Sequence, residues 1–270
     1  MITDARITYS IGITKLYFPK LFNYLTEKEF ETFIRKAYNH TSDFNGGTPI
    51  NNFINQFFNL LEEHHTNKSK DIRNEFGYFN YLLGEFLKYS NQKKFKNLLL
   101  GALYNFDRNN FHHSLGEIGA CLDLSQQRTF QKYEQTLVNG KSIDFVFSTN
   151  EGHLVYVDVV TIDYDKSRYE KEKFQFFLDK RLSDKFLSKS NDLEKEIKND
   201  IYIYPILSGF SIQIIKEQSE YLMNINNSTI EKNNYQSFSP KAFGNIQGTF
   251  FNLFSIEEII SPELIKNKTS

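Results

Sequence analysis

The chain has 270 residues, 40% apolar and 24% charged, which suits one large domain or a compact domain with a helical extension and excludes wholesale disorder. A formal net charge of −1 excludes a globally basic protein, so any nucleic-acid surface must be a local patch. One cysteine, Cys121, excludes a disulfide framework and a cysteine zinc cluster, and no apolar run approaches the ~20 residues that cross a bilayer, so a soluble cytoplasmic protein without membrane association is expected.

Residues 1–14 alternate weakly and read as a short strand or extended arm, with Asp4 and Arg6 in place of a leader's apolar stretch. Thr26-Glu-Lys-Glu29 is a capping box opening a helix to about Tyr38, with Phe30, Phe33, Ile34 and Ala37 as its stripe. Asp43–Pro49 reads as a loop. Ile50, Phe53, Ile54, Phe57, Phe58 and Leu61 then recur at helical spacing, and two more helices are expected over Asp71–Tyr89 and Gln92–Phe106. A helical N-terminal region over 1–107 is thus followed by an α/β core over 108–270.

That core begins with a helix over Phe111–Leu124, where Gly116, Gly119 and Ala120 allow close approach. A strand over Thr129–Val138, the turn signal Asn139-Gly140, and strands over Ser142–Phe147 and Leu154–Ile162 follow. A mixed-charge helix is expected over Ser167–Lys189, then a strand over Ile201–Leu207 with Pro205 marking its edge or end. A helix near Ile212–Met223, a polar loop over Asn224–Ser239, a strand at Gly248–Phe254 and a terminal turn capped from Ser255 complete the chain. The order gives an α/β (α+β) mixed sheet with an antiparallel hairpin and a crossover.

The hairpin carries the chemistry. Alternate strand residues share a face, so Leu154, Tyr156, Asp158, Val160 and Ile162 form one row, with a carboxylate among apolar neighbours. Asp144 lies on the face opposite Ile143, Phe145 and Phe147. If the turn centres on Glu151, Asp144 and Asp158 sit across the ladder with Cβ atoms roughly 4.5–5.5 Å apart, where like charges repel unless a cation intervenes. For Asp158 the alternative is a salt bridge to a helix lysine, because an unpaired buried charge is costly.

Leu115-Gly-Glu-Ile-Gly-Ala-Cys-Leu122, Gly140-Lys-Ser-Ile-Asp-Phe145 and Val155-Tyr-Val-Asp-Val-Val-Thr-Ile162, in the order helix, three strands, helix, strand over residues 108–210, resemble the PD-(D/E)XK nuclease superfamily. The resemblance implies a restriction-endonuclease-like fold and hydrolysis of DNA phosphodiester bonds with Mg2+ or Mn2+. Asp144 and Asp158 would be metal ligands, and Glu117 an auxiliary ligand or base. The chain departs from the pattern at two places: Val160 stands where the family has lysine, and Ile143 where it has proline. The missing cation can come from Lys141, or from Lys180, Arg181, Lys185 or Lys189 on the following helix, with Lys185 and Lys189 favoured because that helix lies against the strand's face.

Two expectations follow: an endonuclease, of restriction or defence type by analogy of fold, or a catalytically inactive nuclease-fold binding subunit of a larger assembly. DNA is the expected partner, with a homodimer left open. Gly46-Gly47 lacks the Lys-Ser/Thr of a phosphate loop, so nucleotide triphosphate binding is not expected. His112 and His113 read as surface histidines.

Overall fold

A computed structural model describes residues 3–42, 61, 65–66, 74–89, 92–104, 111–166, 173–244, 246 and 251–266. The chain forms two compact units, 1–118 and 119–270. The apolar periodicity over 50–60, the loop over 43–49, His64 and the expected helix start at 167–172 fall outside the described residues.

The first unit contains helices α1 (Asp4–Tyr17), α2 (Glu27–Ser42), α3 (Asn74–Phe86) and α4 (Gln92–Tyr104). The start of the chain is a helix rather than an extended arm. Thr3 caps it by accepting from the Arg6 amide at 3.3 Å, and it buries Ile7, Ser10, Ile13 and Thr14 on one face. Polar Ser10 and Thr14 hide that stripe from a reading by apolar residues, and Thr14 returns its hydroxyl to the Ser10 carbonyl at 2.7 Å. The core is aromatic: Phe18 packs edge-on against Phe76 at 5.3 Å, and Phe86 stacks on Phe95 at 4.5 Å. The Tyr24 hydroxyl donates to the Leu83 carbonyl at 2.7 Å, tying α3 to the turn before α2.

Helix α5 (Phe111–Ser125) runs across the division between the units. The second unit then forms β1 (Thr129–Thr136), β2 (Ser142–Ser148), β3 (Leu154–Asp163), α6 (Phe174–Ser190), α7 (Lys195–Asn199) and β4 (Ile201–Ser208). Short helices α8 (Ile212–Glu217), α9 (Ser219–Asn224) and α10 (Ile230–Asn233) precede β5 (Lys241–Gly244), β6 (Asn252–Ser255), α11 (Ile256–Ile260) and α12 (Glu263–Lys266). The six strands lie in one mixed sheet in sequence order. The pairs β1–β2, β2–β3 and β5–β6 are antiparallel, whereas β3–β4 and β4–β5 are parallel.

Helix α6 makes the parallel crossover between β3 and β4. Its apolar stripe of Phe174, Leu178, Leu182 and Phe186 packs into one cluster with Val160 and Ile162 of β3 and Ile201, Ile203 and Leu207 of β4. The opposite sheet face carries Phe130, Phe145 and Phe147, with Phe130 and Phe147 rings 5.5 Å apart.

Two strand expectations are corrected. Pro205 lies inside an interior strand, opposite Val160 of β3. On its other side Ile203 bonds to the segment before β5 through the Gln236 carbonyl and Phe238 amide, and the ladder to β5 resumes at Ile206. The missing proline N–H therefore falls in a gap between the two paired stretches. The last strand spans Asn252–Ser255, with positions 248–250 of the expected strand outside the described residues, and its partner β5 was not expected, being only four residues long and too short to show an alternation. Among the described residues no helix is long and apolar enough to cross a membrane.

The capping box of α2 is present: Glu29 accepts from the Thr26 amide at 2.8 Å and from Lys96 of α4 at 2.7 Å. These bonds, the Lys96 bond foremost, lower its pKa to about 2. The unfolded value is about 4.3, so this contribution to stability is complete above that pH and is lost as pH falls toward 2. Acid unfolding followed by circular dichroism should therefore show a steeper loss of stability between about pH 4.3 and 2 in the wild type than in Glu29→Gln. Superimposable pH profiles would contradict this role.

Candidate acid–lysine site

The β2–β3 ladder runs from Ser148↔Leu154 to Phe145↔Val157, which is the register set by a turn centred on Glu151. Gly152 takes φ 87° in that turn, a conformation glycine adopts without steric cost. One step further along, this register sets Asp144 against Asp158, but the backbone ladder stops. The Val159 amide instead donates to Asp144 Oδ2 at 2.8 Å. The Asp144 carboxylate thus takes the place of a main-chain acceptor where the two strands part. Beyond that point β3 stays paired with β4, as far as Asp163↔Ser208.

Asp158 is 0% exposed, on the sheet face that receives α6. A carboxylate there must be neutralised or it would not remain charged. Lys185 Nζ lies 2.7 Å from its Oδ2 and Lys189 Nζ 3.0 Å from its Oδ1. The two lysines are four residues apart on α6, so they project from adjacent turns of one helix face. Neither approach is aligned as a hydrogen bond to the carboxylate, so the contacts act as ion pairs. Lys189 also donates to the Ser142 carbonyl at 2.5 Å.

The helix end is held as well. Asn139, in the β1–β2 turn, donates from Nδ2 to the Lys189 carbonyl at 2.9 Å and to the Asn191 carbonyl at 2.7 Å. These are carbonyls at the end of a helix, without partners inside it. One side chain therefore fixes the turn before β2 against the segment that carries both lysines.

Val160 is buried in the same apolar cluster as Leu178 and Leu182, so a lysine there would enter the core. Of the other basic candidates, Lys141 is exposed on the turn, and Lys180 and Arg181 are exposed on α6. Glu117 is buried on α5 and belongs to the first unit, whereas Asp144 and Asp158 belong to the second. Among the described residues no group of three or more His, Cys, Asp or Glu side chains could hold a metal ion. His113 is half-buried on α5.

Two polar clusters of the second unit escape sequence reasoning. Asp123 of α5 accepts from the Tyr204 hydroxyl at 2.7 Å and pairs with Lys241 at 3.1 Å. Asp179 of α6 accepts from the Tyr235 hydroxyl at 2.5 Å. Burial, and then this carboxylate, push the Tyr221 and Tyr235 phenols above their usual range. Each cluster joins residues more than fifty positions apart, and no local pattern marks them.

Removing the Asp158 charge would leave two poorly exposed ammonium groups without a counter-charge. Asp158→Asn should therefore lower the free energy of urea unfolding by about 3–5 kcal/mol, and a loss below about 1 kcal/mol would show that the charge is not buried as described. In comparisons with protein-family models, curated proteins and solved structures, the chain has no significant match.

Proposed function

We propose that the second unit is a metal-dependent nuclease acting on DNA, of restriction-endonuclease-like fold, whose motif lysine is supplied by α6 instead of β3. The observation that carries this reading is the delivery of the Lys185 and Lys189 ammonium groups to Asp158 from the helix, over a Val160 position that belongs to the core. The sheet order around the site, antiparallel hairpin followed by a parallel crossover, supports it.

The reading needs Asp144 and Asp158, on adjacent strands, as hard oxygen ligands for Mg2+ or Mn2+, an ion that takes one or two carboxylates while keeping water and substrate phosphate; in the structure two ammonium groups stand on the Asp158 oxygens such an ion would use. The bound ion would polarise the phosphate and lower the pKa of an attacking water. Asp144 would hold it with one oxygen while the other strand's amide fixes its carboxylate. Asp158 would hold it once an ammonium group leaves one oxygen. A lysine from α6 would stabilise the charge that builds on the phosphate.

A second reading has its own support. Both oxygens of Asp158 already carry an ammonium partner, which suits a non-catalytic binding subunit with the same fold. Incubation of duplex and single-stranded DNA with Mg2+ or Mn2+ separates the two. The nuclease reading expects cleavage by the wild type and a loss of ~10²–10³-fold in Asp144→Ala, the scale of removing one charge-stabilising group. Equal activity in both proteins, or none in either on any substrate, removes it. DNA binding without cleavage would then support the binding subunit.

A further inference from the structure

The second unit holds a polar cavity of about 160 Å³ between α6, α9 and α10. Tyr235 and Ile225 are buried in its lining, Asp179, Tyr221 and Asn233 are half-buried, and Lys232 is exposed. Helix α10 ends at Asn234, which takes φ 60°, a left-handed conformation that asparagine tolerates, and the chain then returns so that Lys232, Asn233 and Tyr235 border one space. At the ~30 Å³ share of a water molecule this space holds about five waters, so it admits glycine, alanine or serine and is too small for a nucleotide.

Two opposite charges line the cavity without pairing. Among the described residues no cation stands beside Asp179. Its partners are the phenols of Tyr235, which donates to Oδ1 at 2.5 Å, and of Tyr221. Burial pushes both phenols above their usual range, so both stay neutral and neither offsets the carboxylate. A carboxylate can accept about four hydrogen bonds, so two phenols leave acceptor capacity open. The Lys232 ammonium has no hydrogen-bond or ion-pair partner among the described residues, and the Asn233 side-chain amide has none either.

We infer that this cavity binds a small free α-amino acid, its ammonium group held by Asp179 and its carboxylate by Lys232 and the Asn233 amide. A zwitterion compensates both charges of the cavity at once. A simple cation would leave Lys232 uncompensated, a simple anion would face the Asp179 carboxylate, and a neutral polyol would offset neither charge. The cavity shares no lining residue with the Asp158 site, so amino-acid binding and nuclease activity can each fail without the other.

Calorimetric titration of the full chain with glycine, L-alanine and L-serine tests it, with thermal melting run alongside. At least one of the three should bind and should raise the melting temperature as its concentration rises, because it stabilises only the folded chain. Propionate and glycerol, which offer Asp179 no cation, should bind at least ~10-fold more weakly. L-Alaninamide, which keeps the ammonium group and lacks the carboxylate, should bind about 3-fold more weakly. Asp179→Asn should lose at least ~10-fold in affinity, and its amide oxygen can still accept from Tyr235. Lys232→Met, at an exposed position, should melt within about 2 °C of the wild type and lose about 3-fold in affinity. Should Asp179→Asn fail to fold, Lys232→Met and the three control compounds decide.

No heat and no rise in melting temperature with any of the three amino acids at millimolar concentration overturns the inference. Equal binding of L-alanine, propionate and L-alaninamide does so too, as does unchanged affinity in Lys232→Met. Glycerol binding in preference to the amino acids would mark a polyol site and equally overturn it.

Discussion

A single negative charge under a helix organises the second unit. Asp158 has no access to water, so its charge survives only because α6 brings two ammonium groups to it. That requirement sets where the helix must lie along the strand. The apolar stripe Phe174, Leu178, Leu182 and Phe186 presses α6 onto β3 and β4, but apolar contacts alone are non-directional. Lys185 and Lys189, beside that stripe, pin the helix lengthwise. Asn139 then locks its end to the neighbouring turn.

The same arrangement gives the hairpin its chemical character. The strands separate at the position where two carboxylates would meet, and Asp144 turns its oxygen to a main-chain amide. The β2–β3 ladder ends there, so both carboxylates lie on rigid elements at the point where these two strands cease to pair. Cations come from a helix rather than from the strand, because the strand position two residues after Asp158 faces the core.

Much of this was legible before any coordinates. The alternation over 154–162 and the glycine turn sufficed to set the register, since a slip by one residue would have thrown Val160 and Ile162 out of the core. Lys185 and Lys189 stood out among the basic candidates because a crossover helix lies against the strand's face, and they are the two that reach Asp158. What stayed hidden depends on partners distant in sequence. The α1 stripe includes a serine and a threonine, the latter satisfied by the Ser10 carbonyl one turn back. Strand β5 owes its existence to neighbours on both sides, and Pro205 is tolerated only because the adjoining segment leaves a gap beside it. Asp123 and Asp179 are ordinary acids in sequence and become buried-tyrosine acceptors only in the folded unit.

Strand β1 lies at one border of the sheet, and its irregularity bears on assembly. Its pairing with β2 skips a residue between Phe130 and Lys132, and Glu134 adopts φ 50°, an unusual conformation for a side chain of that kind. A border with such a kink, carrying Lys132 and Glu134, offers a poor template for another strand. Two copies of this protein would accordingly not join by continuing the sheet across β1.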